Sequence, residues 1–179
     1  MKYLDSLKFS FYVIFHPFKG FWDLKHEKRG SMAAAMTFVV LLIITYILRR
    51  QYTGFIFNEN DPKTLNVFVE IISVLLPFFL WATANWCITT LMDGEGSYRD
   101  IVIATAYALV PLILINLPLI PFSRIINIEE GAFYFFFASV SVLWSGALIL
   151  AGASVTHQYT MAKTVFTSLL SVVGMGLMI

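Results

Sequence analysis

Between two long apolar runs the sequence places Asp93-Gly94-Glu95-Gly96-Ser97-Tyr98-Arg99-Asp100. Carboxylates, a guanidinium and glycines at this spacing could hold a hard cation, a phosphate or a charged partner surface. A calcium loop of the EF-hand type is longer and closes on a bidentate glutamate, which this segment lacks. A phosphate-binding loop needs a longer glycine-framed turn and a Walker lysine, also absent. Two readings remain. In one, the segment is a structural hairpin whose glycines supply positive φ for a tight reversal and whose Ser97 caps the next helix. In the other, Asp93, Gly94, Glu95, Gly96, Arg99 and Asp100 form a partner-docking surface, where charge contributes orientation and association rate more than affinity.

Four more polar residues, Glu70, Asn85, Tyr107 and Asn116, interrupt apolar stretches. Polar groups inside a membrane are costly and therefore informative. Glu70 is expected to pair with Arg49 or Arg50. The others are expected to form interhelical hydrogen bonds, worth about 0.6–2 kcal/mol each. His16, His26 and His157 are expected at the surface or the interface, and no metal site is expected, because no close ligand spacing unites them. Cys87, the only cysteine, is expected as a small buried hydrophobe. No nucleophile and base can be paired from sequence, so the expectation is a chain without catalytic residues or cofactor.

The elements that must position these residues are set by hydropathy. Of 179 residues, 59% are hydrophobic and only 13% charged, and the mean hydropathy is +0.78. A soluble domain carries roughly 25% charged residues. Lipid is therefore the expected solvent, in an all-α, polytopic bundle of about five transmembrane helices. The expected spans lie near 32–48, 65–92, 101–120, 131–156 and 161–179. Pro77 is expected to kink the second, and the third contains Pro111 and Pro118. Asn60, Asp61 and Pro62 mark the turn between the first two. The fourth holds Ala138, Ser139, Ser141, Ser145, Ala147, Ala151 and Gly152, a small-residue pattern that reads as close helix packing or as a homo-oligomer face. A net charge of +1 gives no reason to expect a nucleic-acid partner.

Residues 1–31 form a separate, amphipathic segment. Leu4, Leu7, Phe11, Ile14, Phe18 and Phe21 recur at helical spacing, with Pro17 opening a second short helix and Gly30 suiting its end. Phe11, Phe18, Lys19, Phe21, Trp22 and Lys25 are the expected anchors at a membrane interface. The alternative is that the stripe packs on the bundle. No cleavable leader is expected, since the first long apolar run begins only at Met32 and suits a retained insertion signal. Basic residues set the orientation. With the N-terminus inside, eight lie on the cytoplasmic side (Lys2, Lys8, Lys19, Lys25, Lys28, Arg29, Arg99, Lys163) and four outside (Arg49, Arg50, Lys63, Arg124). An odd number of spans then puts the C-terminus outside.

The run His16-Pro17-Phe18-Lys19-Gly20-Phe21-Trp22-Asp23-Leu24-Lys25 resembles the start of bacterial proteins with a Yip domain (the Ypt-interacting-protein family). So do Asn85-Trp86, Leu91-Met92-Asp93-Gly94-Glu95-Gly96 and Tyr107-Ala108-Leu109-Val110-Pro111, over roughly Phe15 to the end. The resemblance implies a five-helix membrane domain with a cytoplasmic N-terminus in the bacterial cell membrane. Eukaryotic relatives are linked to small GTPases, but their acidic-Tyr-Gly-Pro signature is missing here, so GTPase binding does not carry over. The expected function is a non-enzymatic scaffold or accessory subunit that organises lipid or partner membrane proteins. The alternative is a small transporter or channel, with the proline-broken spans around a polar path.

Overall fold

The computed structural model describes residues 3–58 and 66–178. Asn60, Asp61, Pro62, Lys63 and Leu65 lie outside the described residues, as do Lys2 and Ile179. Eight α-helices follow one another, and no strand forms among the described residues: α1 (Tyr3–Phe15), α2 (Pro17–His26), α3 (Met32–Tyr52), α4 (Val67–Leu91), α5 (Tyr98–Ala108), α6 (Val110–Phe122), α7 (Gly131–His157) and α8 (Met161–Met178). A short 3-10 turn, Ile128–Glu130, precedes α7.

Taking α5 and α6 as one span, five helices among the described residues are long and apolar enough to cross a membrane. At 1.5 Å per residue, the 21 residues of α3 reach about 30 Å, which matches a hydrocarbon core. The first span starts at Met32, where Ser31 caps it by accepting from the Ala34 N–H at 3.1 Å, and it runs past Arg49 and Arg50 to Tyr52. α4 is continuous through Pro77. The third span breaks instead, at Leu109. Pro111 has no N–H to give the Tyr107 carbonyl, and the chain resumes with Pro111 in the first turn of α6.

This broken span is the centre of the bundle, since every residue from Ile101 to Ala108 is buried. Around it pack Phe38 and Leu42 of α3, Val74 and Phe78 of α4, and Leu148 and Ala151 of α7. The small-residue pattern of α7 divides. Ser141, Ser145, Ala151 and Gly152 are buried, while Ser139 and Ala147 face outward. A Cβ on Gly152 would sit 3.1 Å from the Phe21 ring, so this stretch admits α2 rather than a second span.

α8 has its polar face inward. Its buried residues are Thr164, Thr167, Ser168 and Ser171, while Val165, Phe166, Leu169 and Val173 are exposed. In a membrane that is a sound arrangement, because hydroxyls can bond within the helix or across to α4 and the apolar face meets lipid. Cys87 is exposed on α4, not buried as expected. Its apolar sequence neighbourhood is equally suited to a lipid-facing position.

The bundle has two ends. Near one lie α1, α2, the 92–97 loop and the 158–160 turn. Near the other, the Arg124 Nε donates to the Tyr52 carbonyl at 2.8 Å and the Gly54 N–H donates to Ser123 Oγ at 2.8 Å.

Candidate functional site: a polar junction under the acidic loop

α4 ends in a left-handed cap. Asp93 takes φ 58°, and the Gly94 N–H donates to the Thr89 carbonyl at 2.8 Å. The positive φ thus falls on Asp93, not on the glycines as expected; none of the described glycines has one. Aspartate tolerates this region through its short polar side chain. The glycines serve close approach. A Cβ on Gly94 would come within 2.8 Å of His157 Nδ1 and of Tyr159 Oη, and one on Gly96 within 2.7 Å of His157 Cε1. The acidic loop therefore rests directly on the end of α7.

His157 is the residue it covers. It is 2% exposed, which corrects the expectation of a surface histidine. His16 and His26 are exposed. His157 Nε2 lies 3.0 Å from Asn85 Oδ1, so the neutral ring donates from Nε2 to the amide oxygen. Nδ1, which then carries the lone pair, is buried without a partner. The Asn85 amide in turn donates to Ser171 Oγ at 3.4 Å. One side chain of α4 thereby links α7 and α8.

Past His157 the chain repeats the cap. Gln158 takes φ 55°, and the Tyr159 N–H reaches the Ser154 carbonyl at 3.0 Å. Tyr159 Oη donates to the Met92 carbonyl at 2.8 Å, and Lys163 Nζ donates to the same oxygen at 2.8 Å while lying 4.0 Å above the Tyr159 ring. Burial and the nearby Asp93 carboxylate raise the Tyr159 pKa, so its hydroxyl stays a donor.

The loop side chains divide between internal and outward roles. Asp100 closes a capping box with Ser97 at the start of α5. Glu95 pairs with Lys25 at 3.7 Å and accepts from the Gln158 amide. Lys25 also donates to the Thr156 carbonyl at 2.8 Å. Asp93, Glu95 and Arg99 remain exposed.

The amphipathic stripe of residues 1–31 splits in the same manner. Ile14 and Phe21 are buried against the bundle, and the Tyr107 hydroxyl, itself 0% exposed, donates to the Ser6 carbonyl at 2.9 Å. Phe11, Phe18, Lys19 and Trp22 are exposed, as is Phe15, whose ring meets Trp144 of α7 edge-on. Gly30 does not end α2. The left-handed residue there is Lys28, and a Cβ on Gly30 would strike Leu24 and Ile103 at 2.8 and 2.9 Å.

Glu70 and Asn116 belong to the opposite end. Arg50 Nη1 reaches Glu70 Oε1 at 2.5 Å, the pairing expected from sequence. Asn116 donates to Ser141 Oγ at 3.1 Å and accepts from Arg49 Nη1 at 3.4 Å. Among the described residues, no group of three or more His, Cys, Asp or Glu is placed to hold a metal ion.

In the sequence His157 was expected at the surface, Lys163 counted only towards orientation and Tyr159 was overlooked; all three lie far from the loop in the chain. One signal was present: Thr164, Thr167, Ser168 and Ser171 repeat at three- and four-residue steps, marking a polar face that must seek partners inside the bundle.

The sequence profile of the Yip1 domain matches residues 11–179. No curated protein and no solved structure matches the chain. The chain belongs to the Yip1-domain family, and the junction just described unites three of the segments that carried the sequence resemblance: residues 16–25, Asn85 and the acidic loop.

Proposed function

We propose that this protein is a non-enzymatic scaffold or accessory subunit of the bacterial cell membrane, which docks partner membrane proteins on the face built by α1, α2 and the acidic loop. Residues 1–31 are its cytoplasmic interfacial segment and residues 32–179 its transmembrane domain, with the C-terminus outside. Eight basic residues against four support this orientation. The observation that carries the reading is the Lys25–Glu95 contact above buried His157. It joins chain segments far apart in sequence into one surface, and Asp93 and Arg99 still project from that surface. A hairpin serving only as a connector has no need of an anchor on α2. The exposed aromatics Phe11, Phe15, Phe18 and Trp22 have the chemistry of a membrane-interface belt beside the docking surface.

The test is site-specific photo-crosslinking from exposed position 98 in native membranes, with the crosslinked proteins identified. Charge reversal by Arg99→Glu together with Asp93→Asn should abolish the adduct while the purified protein keeps its melting temperature. Unchanged crosslinking in the double variant would remove the acidic loop as a docking surface.

A further inference from the structure

The end of the bundle remote from the acidic loop holds a second feature that the docking reading does not use. Arg49 and Arg50 close the last turn of α3, and both face a cavity of about 430 Å³ between α3, α4 and α7, shared with Tyr46, Glu70, Ser73 and Tyr134. Only one carboxylate of the described residues lines it, and that one is bound to Arg50. Arg50 Nε is buried with no acceptor. Arg49 meets a single side-chain acceptor, Asn116 Oδ1, at a long 3.4 Å. An arginine that merely snorkels would extend its head to water. Arg49 instead turns to Asn116 of α6, and the described residues around the cavity carry two guanidinium groups against one carboxylate.

A second space adjoins the first. It measures about 540 Å³ and is walled by apolar groups, among them Leu42, Pro77, Phe78, Leu109 and Leu112. It lies where the break at Leu109 interrupts the central span. Tyr46 and Ser73 belong to the walls of both spaces. A cationic recess opening into an apolar groove at membrane depth has the polarity of one kind of molecule.

We infer that the two spaces form one site for an anionic phospholipid, with its phosphate at Arg49 and Arg50 and an acyl chain in the groove beside Pro77 and Leu112. Guanidinium groups suit phosphate because their planar N–H pairs match two oxygens at once. A phosphate at the recess supplies acceptors to the half-buried Arg49 and Arg50 guanidinium groups, which the single carboxylate of Glu70 does not match. The acyl chain fills a groove whose apolar walls offer it no polar competitor.

The test uses the full chain, purified in an uncharged detergent and stripped of lipid. Phosphatidylglycerol, phosphatidylcholine and inorganic phosphate are titrated in parallel, and bound lipid is counted by native mass spectrometry. Phosphatidylglycerol should bind about tenfold tighter than phosphatidylcholine, and Arg49→Gln should remove about that factor, as expected for one charge-assisted contact. Leu112→Trp, which fills the groove, should weaken phosphatidylglycerol with no effect on inorganic phosphate. If Leu112→Trp lowers the melting temperature, Val172→Trp at the exposed α8 rim of the groove, away from the arginine recess, takes its place. Equal affinity for the two lipids, or unchanged phosphatidylglycerol binding in folded Arg49→Gln, would overturn the assignment. So would inorganic phosphate binding as tightly as the lipid with the groove variants silent, which would leave a plain anion site.

Discussion

Asn85 Oδ1 and His157 Nε2 lie 3.0 Å apart, and this single contact ties α4 to the last residue of α7 beneath the acidic loop. Its partners are buried at 1% and 2% exposure, so water cannot replace either. Removing Asn85 as Asn85→Ala leaves a buried imidazole donor unpaired and should cost about 1–3 kcal/mol. An ordinary interhelical hydrogen bond in a membrane is worth only about 0.6 kcal/mol on average. Thermal unfolding in detergent decides between the two magnitudes. The Asn85→Leu, His157→Phe pair should lose less than the sum of its single variants, because no polar atom is then stranded.

Gly94 and Gly96 are held by contact rather than by backbone angle, and that makes a prediction about alanine. Gly94→Ala puts a methyl 2.8 Å from His157 Nδ1, and Gly96→Ala puts one 2.7 Å from Thr156 Cγ2. Each should destabilise by about 1–3 kcal/mol, the usual cost of overpacking. Gly146→Ala and Gly176→Ala are the controls. Both glycines are helical, nothing lies within 4 Å of the added atom, and each change should stabilise by up to about 1 kcal/mol. A loss at Gly176 equal to that at Gly94 would show that helix propensity and local space do not govern these sites.

The spans were legible because lipid imposes a simple rule. A helix that must satisfy its own backbone and cross about 30 Å leaves a long apolar run in the sequence. The Arg–Glu70 pairing was legible for a related reason, since a carboxylate one turn inside a span has few partners. Hydropathy does not say which side of a span faces lipid. Cys87 was misjudged on that account, and the α7 stripe packs closely at Ser141, Ser145, Ala151 and Gly152 but not at Ser139 and Ala147, since apolar and small residues suit either face. His157 was misread because its partners come from loops and helices distant in sequence. The turn at Asp93 shows a further limit. Glycine beside a helix end suggests a left-handed cap, yet here the neighbour takes the angle and the glycine takes the contact.

The proposed orientation rests on the charge count and can be checked by labelling. In a Cys87→Ser background, single cysteines at Lys19 and Arg99 should resist a membrane-impermeant maleimide in intact cells, and one at Glu129 should react. All three positions are exposed, so access rather than packing sets the outcome. Modification at Arg99 from outside would reverse the N-terminus-inside assignment.

Phe18 and Phe21 sit one turn apart on α2 and should behave as different kinds of residue. Phe21 is 1% exposed and fills the space left by Gly152 of α7, whereas Phe18 is 54% exposed and points away from the bundle. Phe21→Ala removes a core aromatic and should cost about 3–5 kcal/mol, seen as a lower melting temperature in detergent. Phe18→Asp should leave that temperature nearly unchanged, because no protein contact of comparable burial is lost. Its effect belongs to the membrane. A spin label at position 18 should be relaxed by oxygen, which concentrates in lipid, and one at exposed Lys19 by a water-soluble nickel chelate. If position 18 instead responds to the chelate alone, α2 is held off the bilayer by its packing on α7, and Phe11, Phe15 and Trp22 become candidates for a protein contact.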